Sequence, residues 1–123
     1  MAAQPDARSA LLEGARAYVD FAAEEPHAFR VMFDLSQPRL EVYPALASAH
    51  RRAFRLLKRV VVRAIMDGVV AGEPGAVTRQ LWAAVHGVAA LHISGSLPGR
   101  TAQQLAVSIA ESLIAGLAPR RSL

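Results

Sequence analysis

The amino-acid sequence predicts an all-α protein, organised as a single bundle domain of five helices over residues 1–123. Three observations support this prediction. In five successive segments, apolar residues recur at the three- and four-residue spacing of a helix face. Proline and glycine separate these segments, and no segment alternates apolar with polar residues as a half-buried strand does. A chain of this length can bury a core and fits one domain.

Prolines, glycines and a capping residue set the expected helix boundaries. Pro26 ends the first helix and suits the first position of the second. Gly72 and Pro74 close the third helix and open the fourth, and Thr101 can cap the fifth, which Pro119 ends. The start of the third helix stays open, because two prolines lie in the segment before it. The predicted helices span residues 6–24, 26–34, 39 or 45 to 71, 74–94 and 101–117.

The fourth helix contains an uncharged stretch, Leu81–Ile93, with the sequence LWAAVHGVAALHI. It presents apolar or small residues on every side, and helices of that kind are buried on more than one side. The stretch is too short to cross a bilayer, which needs roughly 20 apolar residues. We therefore expect a central helix that faces its own core on one side and a second copy of the chain on the other.

The composition narrows the class of protein. Hydrophobic residues make up 53% and charged residues 20% of the chain, an excess of apolar surface that suggests an interface or a pocket. The absence of cysteine excludes disulfides and thiolate metal sites, and a cytoplasmic location is expected. The first residues, MAAQPDARSA, lack the apolar segment of a signal peptide, and no membrane partner is predicted.

The sequence contains no catalytic motif. It has no glycine-rich phosphate loop, no nucleophile elbow and no HExxH motif. His86 and His92 do not share a helix face, so the i, i+4 spacing of a metal-binding pair is absent. We therefore predict no enzymatic activity, no catalytic residue, no metal and no cofactor.

An apolar ligand pocket is the first candidate site. Trp82, His86 and Ala89 share one face of the fourth helix, and large aromatic side chains that face alanines leave space for a ligand. The alternative is that these residues are ordinary core and that the histidines are neutral, hydrogen-bonded interior groups. The candidate ligand-binding residues are Tyr18, Phe29, Met32, Phe33, His50, Phe54, Leu57, Val61, Trp82, His86 and Ala89.

A homodimer interface on the last two helices is the second candidate site. The fifth helix has an apolar stripe wider than one core contact needs, and Ala106 and Ala110 would allow close helix approach. Packed against the same pair from a second chain, the fourth and fifth helices would form a four-helix bundle. The candidate interface residues are Leu81, Val85, Val88, His92, Leu105, Ile109, Leu113, Ile114 and Leu117.

Cations cluster on the third helix. Arg51, Arg55, Arg59 and Arg63 form an i, i+4 row without an acid among them, and like charges at this spacing are mildly destabilising. One interpretation is contact with nucleic-acid phosphates, which a pI near 10.6 permits. The interpretation that we favour is a solvated face, or one paired with acids from the first helix.

Two segments resemble TetR-type transcriptional regulators. AYVDFAAEEPHAFRVMF, Ala17–Phe33, is similar to the part of these proteins where a helix ends at an acidic-proline step before a short Phe/Met-rich helix. LWAAVHGVAALHISG, Leu81–Gly95, resembles the tryptophan/His-Gly helix of a subgroup of their C-terminal domains. The resemblance covers residues 6–117 and includes the order and spacing of the helices.

The resemblance implies an α-helical regulatory domain that binds a small, mostly apolar ligand between its helices and dimerises through its last two helices. Such regulators bind DNA through an N-terminal helix-turn-helix domain, whose pattern is missing before Leu11. We therefore expect no direct operator recognition by this chain, which would be an isolated regulatory domain or a naturally truncated protein. The leading hypothesis is a ligand-sensing and dimerisation domain. The alternative is a stand-alone helical homodimer that acts as a scaffold protein without a ligand.

Overall fold

The structure, a computed structural model, describes residues 6–33 and 44–120 of the chain. These residues form five α-helices and no strand, which confirms the all-α prediction. The helices are α1 (Ala7–Glu24), α2 (Pro26–Phe33), α3 (Pro44–Met66), α4 (Pro74–Ile93) and α5 (Gly99–Gly116). No helix within the described ranges is both long enough and apolar enough to cross a membrane.

Carboxylates cap the N-termini of α1 and α4. Asp6 accepts a hydrogen bond of 2.7 Å from the backbone N–H of Ser9. Glu73 accepts two hydrogen bonds, of 2.9 Å from the backbone N–H of Gly75 and 2.7 Å from that of Ala76. The proline that follows Glu73 occupies the first helical position. These bonds satisfy N–H groups that have no partner within the helix, and they favour the charged carboxylate. They therefore lower the pKa of both Asp6 and Glu73 below their ordinary values.

Two helix boundaries differ from the prediction by more than one residue. The third helix ends at Met66 instead of Ala71, because Gly68 adopts the left-handed conformation with φ of 75°. The N–H of Gly68 then donates to the carbonyl of Ile65 and that of Val69 to Ala64, which closes the helix in a Schellman motif. The fifth helix begins at Gly99 with the extended Pro98 as its N-cap, and Thr101 already lies inside the first turn.

Helix α1 is the centre of the bundle and packs against α3, α4 and α5. Its contact with α5 is close because α5 turns three fully buried alanines, Ala102, Ala106 and Ala110, toward the core. The side-chain amide of Gln103 donates to the carboxylate of Asp20 beside this contact. The core that results is built mainly from small and aliphatic residues: Ala7, Leu11, Ala15, Val19, Ala22, Phe29, Val61, Ala64, Val70, Val77, Leu81, Val85, Val88, Ala89, Ala102, Ala106, Ala110 and Ile114.

Candidate functional site

A cavity of about 410 Å³ lies between α1, α3 and α4 and opens to solvent on one side. Its volume falls in the range of roughly 300–1,000 Å³ that is typical of small-molecule sites. The lining is almost wholly apolar, with one phenol and one indole as its polar groups. The lining residues are Ala10, Leu11, Gly14, Ala15, Ala17, Tyr18, Ala53, Leu56, Leu57, Val60, Leu81, Trp82, Val85 and Ala110.

Small residues on α1 create this space. Ala10, Gly14 and Ala17 follow one side of the helix and face the larger Leu56 and Leu57 of α3 across the cavity. A Cβ atom added at Gly14 would meet no atom within 4 Å. Glycine in a helix interior costs roughly 0.5–1 kcal/mol relative to alanine, so this position gives up helix stability and leaves the cavity open.

Tyr18 supplies the main polar group of the cavity wall. Its hydroxyl lies 2.9 Å from Nδ1 of His86 on α4. Burial raises the pKa of Tyr18 to about 12, and the neighbouring Trp82 indole opposes the shift as a hydrogen-bond donor. Because the indole N–H can only donate, the phenol oxygen accepts from it, and the phenol proton is available for His86. The polar atoms at this wall are therefore already engaged with each other.

Aromatic rings form a connected layer behind the cavity. Tyr18 makes edge-to-face contacts with Phe29 and Trp82, at centroid distances of 6.1 Å and 6.2 Å. Phe29 stacks on His86 at 5.2 Å, and Phe54 lies 5.5 Å from Trp82. Edge-to-face and offset pairs at these distances are favourable beyond their buried area. The layer ties α1, α2, α3 and α4 together around the cavity.

A family model described as Tetracyclin repressor-like, C-terminal domain, matches residues 11–117 of the chain. The chain belongs to this family. The match confirms the family that the segments Ala17–Phe33 and Leu81–Gly95 indicated. Among curated proteins and solved structures, none matches this sequence significantly. The tetracyclin repressor-like C-terminal domains are regulatory domains of transcription regulators and not a family of enzymes.

The residues predicted for ligand binding divide into four groups. Tyr18, Leu57 and Trp82 line the cavity directly. Phe29, Phe54 and His86 form the ring layer behind it. Val61 and Ala89 are fully buried in the core and are not among the lining residues. The side chains of Met32, Phe33 and His50 lie outside the described part of the structure.

The residues predicted for the dimer interface divide into buried and more accessible members. Leu81, Val85, Val88 and Ile114 are at most 6% exposed in the single chain, and the first two line the cavity. Little of their surface therefore remains accessible for a second chain to bury. His92 lies with Nδ1 2.8 Å from the carbonyl oxygen of Leu97. The more accessible members of the set are Leu105, which is 36% exposed, and the half-buried Ile109, Leu113 and Leu117.

Most of the α1 side of the cavity was not predicted from the sequence. Tyr18 was a candidate, whereas the lining residues Ala10, Gly14 and Ala17 were not. A usable signal was present, because these three small residues recur at helical spacing with a glycine in the middle of the helix. Leu56 on α3 was missed as well, although its neighbour Leu57 was among the candidates.

The arginine row on α3 lies on an exposed side of the helix. Arg63 forms an ion pair of 3.9 Å with Asp67, one turn further along. Arg51, Arg55 and Arg59 are exposed and form no ion pair with the residues that the structure describes. An acid at the start of the first helix also interacts with the row, because the charge of Arg63 contributes to lowering the pKa of Asp6.

Proposed function

We propose that the chain is the ligand-sensing and dimerisation domain of a TetR-like transcriptional regulator. The observation that carries this proposal is the 410 Å³ apolar cavity between α1, α3 and α4 in a chain of this family. An apolar wall with few polar groups fits a small, mostly apolar effector. Because Tyr18 and His86 already bond to each other, such an effector would gain mainly from burial of its own apolar surface.

The proposed mechanism is a shift between two arrangements of the helices. The cavity is lined mainly by α1, α3 and α4, which also form the core, so its width depends on how α3 lies relative to α1 and α4. A ligand that binds one arrangement more tightly increases the population of that arrangement. In a dimer, this would change the positions of any attached DNA-binding domains, and by reciprocity DNA would change the affinity for the ligand.

The proposed dimer uses the outer sides of α4 and α5. On α4 this side carries Ala83, Gly87 and Leu91, and on α5 it carries Leu105 and neighbouring serines. Leu91 is 47% exposed and Leu105 is 36% exposed. The small residues on the same sides of the helices as these leucines allow the helices of two chains to approach closely, as four-helix packing requires. These residues lie on the opposite sides of the helices from Leu81, Val85 and Ala106 and are available to a second chain.

Ligand binding can be tested through Trp82, the single tryptophan of the chain. Titration with 1-decanol should change its fluorescence, because the indole lines the cavity. Gly14→Leu should abolish this change, since the new side chain enters the open space at Gly14. Gly14→Ala is the matched control and should still bind, because a single methyl group fills little of the cavity. Equal responses of wild type and Gly14→Leu would contradict the sensor and favour the scaffold alternative.

The dimer can be tested by sedimentation velocity at micromolar concentration. The double variant Leu91→Glu, Leu105→Glu places charges on the proposed interface and should sediment as a monomer. The control is Met66→Glu, which changes a residue that is 80% exposed and belongs to α3, a helix outside the proposed interface. Wild type and the Met66→Glu variant should sediment as dimers. A monomeric wild type would contradict the dimer, and a dimeric double variant would place the interface elsewhere.

A further inference from the structure

Two arginines of α3 flank the mouth of the cavity. Leu56 lines the cavity and is 53% exposed, so it marks the place where the cavity meets solvent. Residues three and four positions apart on a helix are surface neighbours. Arg52 precedes Leu56 by one turn and Arg59 follows it by one turn, and both are exposed. At this spacing both side chains start beside Leu56, within reach of the edge where the cavity opens.

The charge at this edge is not neutralised within the described residues. Arg52 and Arg59 form no ion pair there, whereas Arg63 pairs with Asp67 at 3.9 Å. On α1, Glu13 is exposed and lies one turn from the lining residues Ala10 and Ala17, and it forms no ion pair with either arginine. Two cations against one carboxylate leave the mouth with an excess of positive charge.

We propose that the effector is an amphipathic anion, with an apolar body in the cavity and an acidic head group held by Arg52 and Arg59. This inference rests on the proposed ligand-sensing function and specifies the chemical class of the ligand. The guanidinium fork matches the geometry of carboxylate and phosphate oxygens. The position of the arginines beside Leu56 places the head group at the solvent boundary, where it keeps part of its hydration while the apolar chain is buried.

Three probes with the same alkyl chain separate the head group from the apolar body. Decanoate, 1-decanol and decyltrimethylammonium are titrated against the full chain, with the fluorescence of Trp82 as the readout. Decanoate should bind about three- to tenfold more tightly than 1-decanol, the effect expected of two solvent-exposed charge contacts. Decyltrimethylammonium should bind more weakly than 1-decanol. Added salt should reduce the advantage of decanoate and leave 1-decanol unaffected.

Arginine variants locate the contact. The double variant Arg52→Gln, Arg59→Gln should lose the preference for decanoate over 1-decanol. Arg51→Gln, Arg55→Gln is the matched control, because it removes the same charge from the side of α3 that faces away from the cavity. This control should keep the preference. In the opposite direction, Glu13→Gln should strengthen decanoate binding and leave 1-decanol binding unchanged.

The outcomes distinguish this inference from the function on which it rests. Equal affinities for decanoate and 1-decanol, or equal effects of the two arginine pairs, would overturn the anionic head group and leave the apolar sensor intact. Failure of all three probes to change the fluorescence of Trp82 would overturn both. A preference for decyltrimethylammonium would assign the head-group contact to Glu13 and would refute the arginine site.

Discussion

The hydroxyl of Tyr18 lies 2.9 Å from Nδ1 of His86, and this contact joins the first helix of the bundle to the fourth. It forms at the boundary between the cavity and the ring layer, because Tyr18 lines the cavity and His86 stacks on Phe29 behind it. The pair therefore links the shape of the cavity to the packing between α1 and α4. The first two predictions concern this pair.

Tyr18→Phe should lower the free energy of unfolding by about 0.5–1.5 kcal/mol, the net contribution of a typical intramolecular hydrogen bond. The ring contacts with Phe29 and Trp82 stay possible in this variant, so the loss isolates the hydroxyl. Urea denaturation of wild type, Tyr18→Phe, His86→Leu and the double variant measures the coupling. Strictly additive effects of the two substitutions would show that the contact contributes nothing to stability.

Tyr18 should lose its proton at about pH 12, well above the ordinary value of 10.0, because burial disfavours the phenolate. Since its pKa is raised in the folded chain, its contribution to stability is complete below pH 10 and is lost as the pH rises toward 12. Absorbance titration near 295 nm, with Tyr18→Phe subtracted, measures this pKa. A midpoint near 10 would show that the phenol is solvated.

Two glycines should respond to alanine in opposite directions. Gly14→Ala should stabilise the chain by about 0.5–1 kcal/mol, because the position is helical and the new Cβ meets no atom within 4 Å. Gly68→Ala should destabilise it by about 1–2 kcal/mol, because φ is 75° at the end of α3. Thermal unfolding of the two variants tests this difference in sign. A stabilising Gly68→Ala would contradict the Schellman closure of α3.

Glu73 should make the domain sensitive to acid. Its hydrogen bonds to the N–H groups of Gly75 and Ala76 lower its pKa below the ordinary value of 4.5. Because the pKa is lowered on folding, the stabilisation is present above pH 4.5 and is lost as the pH falls through the folded-state pKa. Glu73→Gln should be less stable than wild type at pH 7, and the difference should narrow at acidic pH. A difference that is constant with pH would contradict the capping role.

The sequence predicted part of the site, and the reason differs from residue to residue. Tyr18 and Trp82 were predicted because aromatic residues on helix faces are conspicuous, and the structure places both on the cavity wall. Val61 and Ala89 were predicted from helical spacing and lie in the core, because periodicity identifies a buried face and does not say whether the space opposite is filled. Gly14 was missed because it contributes to the cavity by having no side chain, whereas the candidates were chosen for the side chains that they carry.

The sequence by itself determined that this protein is a bundle of helices and determined its family. Both follow from local features, namely helical spacing, proline and glycine breaks, and the segments Ala17–Phe33 and Leu81–Gly95. Only the tertiary structure decided which side of α4 faces the cavity and which side stays exposed. Leu81 and Val85, expected at the dimer interface, lie beside the cavity because α1 and α3 cover that side, whereas Leu91 stays exposed. A helix that is apolar all round carries no sequence signal for its orientation, and its neighbours set that orientation.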